Sequence, residues 1–196
     1  MRRRAFDAVA SAAGLVIAAV LLVAGGLLLW GHSFVDSQVS TQLSAQKIVF
    51  PAQGSPELKA LPAADAAAMG QYAGQTMTTG AQARVYADNF IAVHLSKMGG
   101  TYAQLSGRAL AQPGNAALQA QVNTVFKGTT LRGMLLDAYA FWQMGAIAFW
   151  AAIVSFTGAG ILLILSALGL YHARRVPPTA EILAQRTPAD KVATTA

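Results

Sequence analysis

Two long stretches of this chain carry no Asp, Glu, Lys or Arg: Ala8 to Trp30, and Phe141 to Ala173, where Arg174 ends the second. An apolar run longer than roughly 18 residues suits a transmembrane helix, because about 20 helical residues cross the hydrocarbon core. A helix also satisfies its own backbone hydrogen bonds in lipid. The pattern therefore predicts spans over 8–30 and 141–172, the second with an outer extension.

Between the runs, polar and apolar positions alternate with helical spacing. Phe34, Val35, Val39, Leu43 and Gln46 share a face over Ser33 to Val49, opposite Asp36, Gln38, Ser40, Gln42 and Ser44. This segment is the expected cover for the apolar residues Leu135 to Phe149. Pro51, Gly54, Pro56 and Pro62 predict an extended loop over 50–62. A weak Ala-rich helix over Ala63 to Gln75 follows. Thr79 to Met98 reads as one helix, with Ala83, Tyr86, Phe90, Val93 and Leu95 apolar and Gly99-Gly100 ending it. Thr101 to Ala111 predicts a shorter helix before the Pro113-Gly114 turn. Asn115 then caps a helix that turns Leu118, Val122, Val125 and Phe126 inward. Gly128 is expected to kink or break it before it resumes into the second span. No repeat and no strand pattern of convincing length occurs. The expected fold is all-α: an antiparallel two-helix transmembrane hairpin extending into a small extracytoplasmic helical bundle.

Lys and Arg next to span ends mark the cytoplasmic side. Arg2, Arg3 and Arg4 precede the first span, and Arg174 and Arg175 follow the second. Both termini are therefore expected in the cytoplasm of a cell-membrane protein, with 1–7 an N-terminal segment, 31–140 extracytoplasmic and 173–196 a disordered tail. The first run exceeds the roughly 7–15 residues of a signal-peptide core and ends in bulky residues, so it reads as an uncleaved signal anchor. Trp30, Trp150 and Tyr171 are the expected interfacial anchors, together with Arg174 and Arg175. Trp150 lies about 21 residues before Tyr171, one membrane crossing at roughly 1.5 Å each.

Composition sharpens this picture. Only 11% of the residues are charged, against about 25% in an average soluble domain. The formal charge of +6 divides evenly, with +2 in each of 1–7, 31–140 and 172–196. No basic stripe with interleaved aromatics appears, so nucleic acid is not an expected partner. The absence of cysteine removes disulfides, thiolate metal sites and thiol nucleophiles.

Candidate chemistry is sparse. His32, His94 and His172 are spread along the chain, and a metal site needs three or four convergent ligands, so no metal is expected. Asp36, Glu57, Asp65, Asp88 and Asp137 lie more than a turn apart, giving no local acid–base pair. Asp137, set in an apolar stretch, is expected to pair with Arg132 or Arg108. No nucleophile elbow, P-loop or dinucleotide fingerprint occurs, and no catalytic residue or cofactor is expected. The spans lack the ionisable groups that transport usually needs. They carry small residues at four-residue spacing, Ala10, Gly14 and Ala18 in the first and Ala151, Ser155 and Ala159 in the second. Such rows let helices approach closely.

The segments AGLVIAAVLLVAGGLLLWG, QLSAQKIVFP (42–51), YADNFIAVHL (86–95) and LRGMLLDAYAFWQMGAIA (131–148) together resemble an uncharacterised family of actinobacterial two-span membrane proteins. The resemblance covers most of 1–172. It implies the two-span topology and brings no reaction, cofactor or catalytic residue. The expected function is a non-enzymatic accessory or assembly subunit, or interaction module, of an envelope membrane complex. Its partners would be the lipid bilayer and other membrane subunits, or a second copy of itself. The alternative is an extracytoplasmic binder of lipid or a small apolar ligand, with Met69, Met77, Met98 and Met134 lining an adaptable cavity.

Overall fold

The structure, a computed structural model, describes residues 3–177. Arg2 and, from residue 178 on, the tail expected to be disordered lie outside the described residues. Every regular element among the described residues is helical: α1 (Arg3–Ala45), α2 (Pro56–Lys59), α3 (Ala63–Gly70), α4 (Gly80–Tyr86), a π-helical turn (Ala87–Ile91), α5 (Ala92–Ser96), α6 (Tyr102–Ala111) and α7 (Ala116–Arg175). Two of them, α1 and α7, are long and apolar enough to cross a membrane. The described residues divide into two compact units, 3–29 with 149–177, and 30–148.

In the first unit, α1 and α7 contribute segments that run in opposite directions. His172 Nδ1 donates to Asp7 Oδ2 at 2.8 Å, and the Phe156 ring lies 2.9 Å from where a side chain on Gly25 would begin. The contact is made by small residues. Ser11, Ala18 and Gly25 are buried on α1, and Ala152, Ala159, Ser166 and Ala173 on α7, each row stepping by seven. A seven-residue repeat gives a left-handed helix pair with a constant seam. Where Gly14 meets Ser166 and Gly169 meets Ser11, a hydroxyl occupies the space of the missing Cβ. The bulky residues point away: Val16, Val20, Val23, Val154 and Ile164 are all exposed.

The second unit has a core of large side chains, with Phe50, Met69, Met77, Leu105 and Leu135 almost fully buried. Val39 and Leu43 of α1 meet Leu135 of α7 in its main cluster, which also takes in Ala83, Ala87 and Ile91. Leu105, Ala109, Leu118 and Val125 form a smaller one. Between α1 and α4 the chain is pinned by a short antiparallel clasp, in which Phe50 N donates to Gln75 O at 2.9 Å and Met77 N to Ile48 O at 2.8 Å. It closes one isolated bridge, Val49 to Thr76, too short to leave an alternating pattern.

Three sequence expectations are corrected here. The loop over 50–62 contains α2, because Pro56 fits a first helical turn and the Ser55 hydroxyl caps it by accepting from Leu58 N. The helix expected over Thr79 to Met98 carries a π-helical turn, in which Ala92 N reaches back five residues to Ala87 O. Gly128 does not break α7, which runs unbroken through it. Leu95 packs against it instead, its Cδ2 2.8 Å from the position a Cβ would take.

Candidate functional site

Helix α4 starts with a capping box. The Thr79 hydroxyl accepts from Gln82 N, and Gln82 Oε1 accepts from Thr79 N. Gly80, the first helical residue, lies directly against the Cβ of Trp142, with the Ala138 carbonyl 3.1 Å from where its side chain would begin. Only glycine allows α4 this close to α7. The π-helical turn follows, and such turns often mark functional places. Here it carries Asp88 and Asn89.

Both side chains are held from other helices. Arg132 of α7 donates from Nη2 to Asp88 Oδ1 at 2.7 Å, while Arg84 Nε lies 3.8 Å from Asp88 Oδ2. Asn89 Nδ2 donates to Asp65 Oδ1 at 2.7 Å. Arg84 also donates to the Tyr139 hydroxyl at 2.9 Å and lies 4.9 Å from the centre of its ring. Beside this network is an open-sided hollow of about 510 Å³ lined by Tyr72, Arg84, Asp88, Tyr139, Trp142 and Gln143. Tyr86, on the inner side, packs edge-on to Phe50 with centroids 5.4 Å apart, and burial pushes its hydroxyl pKa above the ordinary value.

A second feature lies between residues 34–46 of α1 and 134–141 of α7. This apolar groove, of about 430 Å³, has Phe34, Val39, Met134 and Phe141 along its walls and Gln38, Gln42 and Asp137 at its edge. Phe34, Met134 and Phe141 are 53%, 59% and 58% exposed. The segment expected to cover Leu135 to Phe149 thus covers one side only. Leu135 is buried against Val39 and Leu43, and Val35 packs on Gly145, yet Phe141, Met144 and Ile147 remain open.

No protein-family model matches the chain, and no curated protein and no solved structure is detectably similar to it.

The titratable residues singled out in the sequence do not converge. Asp137 pairs with neither Arg132, whose guanidinium goes to Asp88, nor Arg108, which donates to Gly99 O at 3.0 Å. The expected ion pair is thus corrected, and Asp137 is left facing the groove. His94 Nδ1 donates to the Phe90 carbonyl at 2.7 Å and His32 Nδ1 to the Gly145 carbonyl at 3.0 Å. Among the described residues no three His, Asp or Glu side chains are grouped to hold a metal ion. Met69 and Met77 are packed solid in the core, and Met134 alone of the four methionines lines the groove.

The remaining sequence-predicted residues are placed as follows. Trp30, Trp150 and Tyr171 are all more than half exposed. Trp30 stacks on Phe34, and Arg175 lies 4.7 Å over the Tyr171 ring. Arg174 is exposed in the last turn of α7. Ala18 and Ala159 are fully buried, Gly14, Ala151 and Ser155 partly so, and Ala10 is exposed. Asp88, Arg132 and Gly80 were missed as a set, because no local spacing connects residues on separate helices.

Proposed function

We propose that the chain is a two-span integral protein of the cell membrane, a transmembrane hairpin with both termini cytoplasmic and 31–140 forming an extracytoplasmic helical bundle. Its role is that of a non-enzymatic accessory or assembly subunit of a larger membrane complex. The arginine flanks support the orientation. The spans are supported by how little the most apolar windows of α1 and α7 are buried, 11% and 17%. A core helix of a water-soluble protein would be mostly covered.

The observation that carries the subunit reading is the groove between 34–46 and 134–141. It is open-sided beside a filled core, and the exposed residues Phe34, Met134 and Phe141 line it from its two helices. Aromatic and methionine side chains gathered in this way suit protein contact, where such residues are enriched. The partner is an apolar helix of another membrane protein.

Photo-crosslinking in native membranes tests this reading. A crosslinker at Met134 or Phe141 should capture one defined polypeptide, and one at exposed Asn123 should not. Capture of lipid alone would sink the subunit reading and make the groove a lipid-binding site.

A further inference from the structure

We propose that the hollow beside the π-helical turn binds a neutral, polyhydroxylated ring, a saccharide unit. Its volume of about 510 Å³ falls within the roughly 300–1,000 Å³ of small-molecule sites. Its lining mixes two chemistries that such a ring requires together. One is aromatic surface. Trp142 and Tyr139 lie side by side, centroids 6.3 Å apart and planes 31° from parallel. The electron-rich faces of such rings attract the polarised C–H face of a sugar. The Arg84 guanidinium covers one face of Tyr139, which leaves the indole as the principal platform.

The other chemistry is planar polar groups with unspent hydrogen-bonding capacity. Gln143, Trp142 and Tyr72 line the hollow, and the Gln143 amide, the Trp142 Nε1–H and the Tyr72 hydroxyl make no hydrogen bond to the described residues. Asp88 Oδ2 is 3.8 Å from Arg84 Nε, too far for a hydrogen bond. Donors and acceptors are thus both on offer, and a hydroxyl is each at once. A purely apolar ligand would strip water from these groups and leave them unpaired, at a cost.

Charge decides between a neutral and an ionic ligand. Arg84 and Arg132 are offset by Asp88, which contacts both, and by Asp65, which holds Asn89. The charged residues that line the hollow itself, Arg84 and Asp88, balance, and Arg84 already has protein partners in Asp88 and Tyr139.

The test uses the full chain in lipid nanodiscs with Trp30→Phe and Trp150→Phe, so that Trp142 is the sole indole of the three. Maltotriose, N,N′,N″-triacetylchitotriose and galactotriose are titrated against its fluorescence, with inorganic phosphate as the anionic probe. The expected result is a saturable change with at least one trisaccharide. Gln143→Ala, at an exposed helical position, should weaken it roughly tenfold. Asn123→Ala, at an exposed position of α7 outside both the hollow and the groove, should leave it unchanged, and circular dichroism should show both variants equally helical. Displacement by the monosaccharide unit of the trisaccharide that binds would assign the site to a single ring, and its failure to displace to a chain. The proposal is overturned if no trisaccharide saturates, if Gln143→Ala binds as well as the parent, or if phosphate gives the same response.

Discussion

In the unit of residues 3–29 and 149–175, the buried side chains are Ser11, Ala18, Ala152, Ala159, Ser166 and Ala173. In the unit of 30–148 the most deeply buried large ones are Phe50, Met69, Met77, Leu105 and Leu135. The first turns its large aliphatic residues outward and packs by close backbone approach. The second hides them. The proposed placement, one unit in lipid and one in water, accounts for the difference. Burying a leucine in an aqueous protein removes apolar surface from water, whereas among lipid tails the same burial gains nothing and close packing of small residues takes its place. The contrast therefore supports the proposed division between a unit in lipid and a unit in water, independently of hydropathy along the chain.

The sharpest way to break the comparison is to remove bulk from each unit. Phe50→Ala should cost about 3–5 kcal/mol, read as lost hydrogen-exchange protection across 30–148. Leu165→Ala, at a 57% exposed position of the other unit, should change protection little. Equal losses would mean that both units bury bulk in the same way.

Adding bulk at close contacts comes next. Gly80→Ala should cost about 1–3 kcal/mol, because the Trp142 Cβ and the Ala138 carbonyl have nowhere to go. At Gly14 the obstructing atom is a hydroxyl that can rotate away, so Gly14→Ala should be nearly neutral in thermal unfolding of the detergent-solubilised chain. Thr79→Ala, which removes half the capping box, should cost about 1 kcal/mol, seen as faster exchange at the start of α4.

The smallest effect concerns acid. A backbone N–H and the Ser55 hydroxyl hold the exposed Glu57 below its ordinary carboxylate range. Its contribution is present above the unfolded pKa and is lost as pH falls through the lower folded one. Glu57→Gln should therefore make the acid limb of a stability–pH curve shallower and leave the rest of that curve's shape unchanged. A variant curve parallel to the parent's throughout the acid range would rule this out.

How much was legible follows from what is local. Charge-free runs are local, and both long apolar helices could be read from them. Caps are local too: Asn115 Oδ1 does accept from Leu118 N, at 3.0 Å. The π-helical turn leaves no mark in a pattern of 3.6 residues per turn, which puts Ala83, Tyr86 and Phe90 on one face. Ala83, Ala87 and Ile91 are the residues actually buried, and their constant step of four suits the looser winding of i→i+5 bonds. The hollow beside that turn draws on Tyr72, Asp88 and Trp142, far apart in sequence, so only packing could assemble it. A similar difference of period separates the four-residue rows of small residues from the buried rows, which step by seven. In a left-handed pair the seam repeats every 3.5 residues, so a row stepping by four drifts off it.

A repeat of seven cannot by itself say where along its length it should be matched. Sliding one helix by seven residues would bring small residues against small residues again. Unique side chains must choose, and two of them do. The slide would drive the Phe156 ring onto the Ala18 methyl instead of Gly25, and would trade His172 for Leu165 opposite Asp7. The alignment of the pair is thus a ratchet with notches roughly 10 Å apart, and one phenylalanine and one histidine–aspartate hydrogen bond favour a single notch.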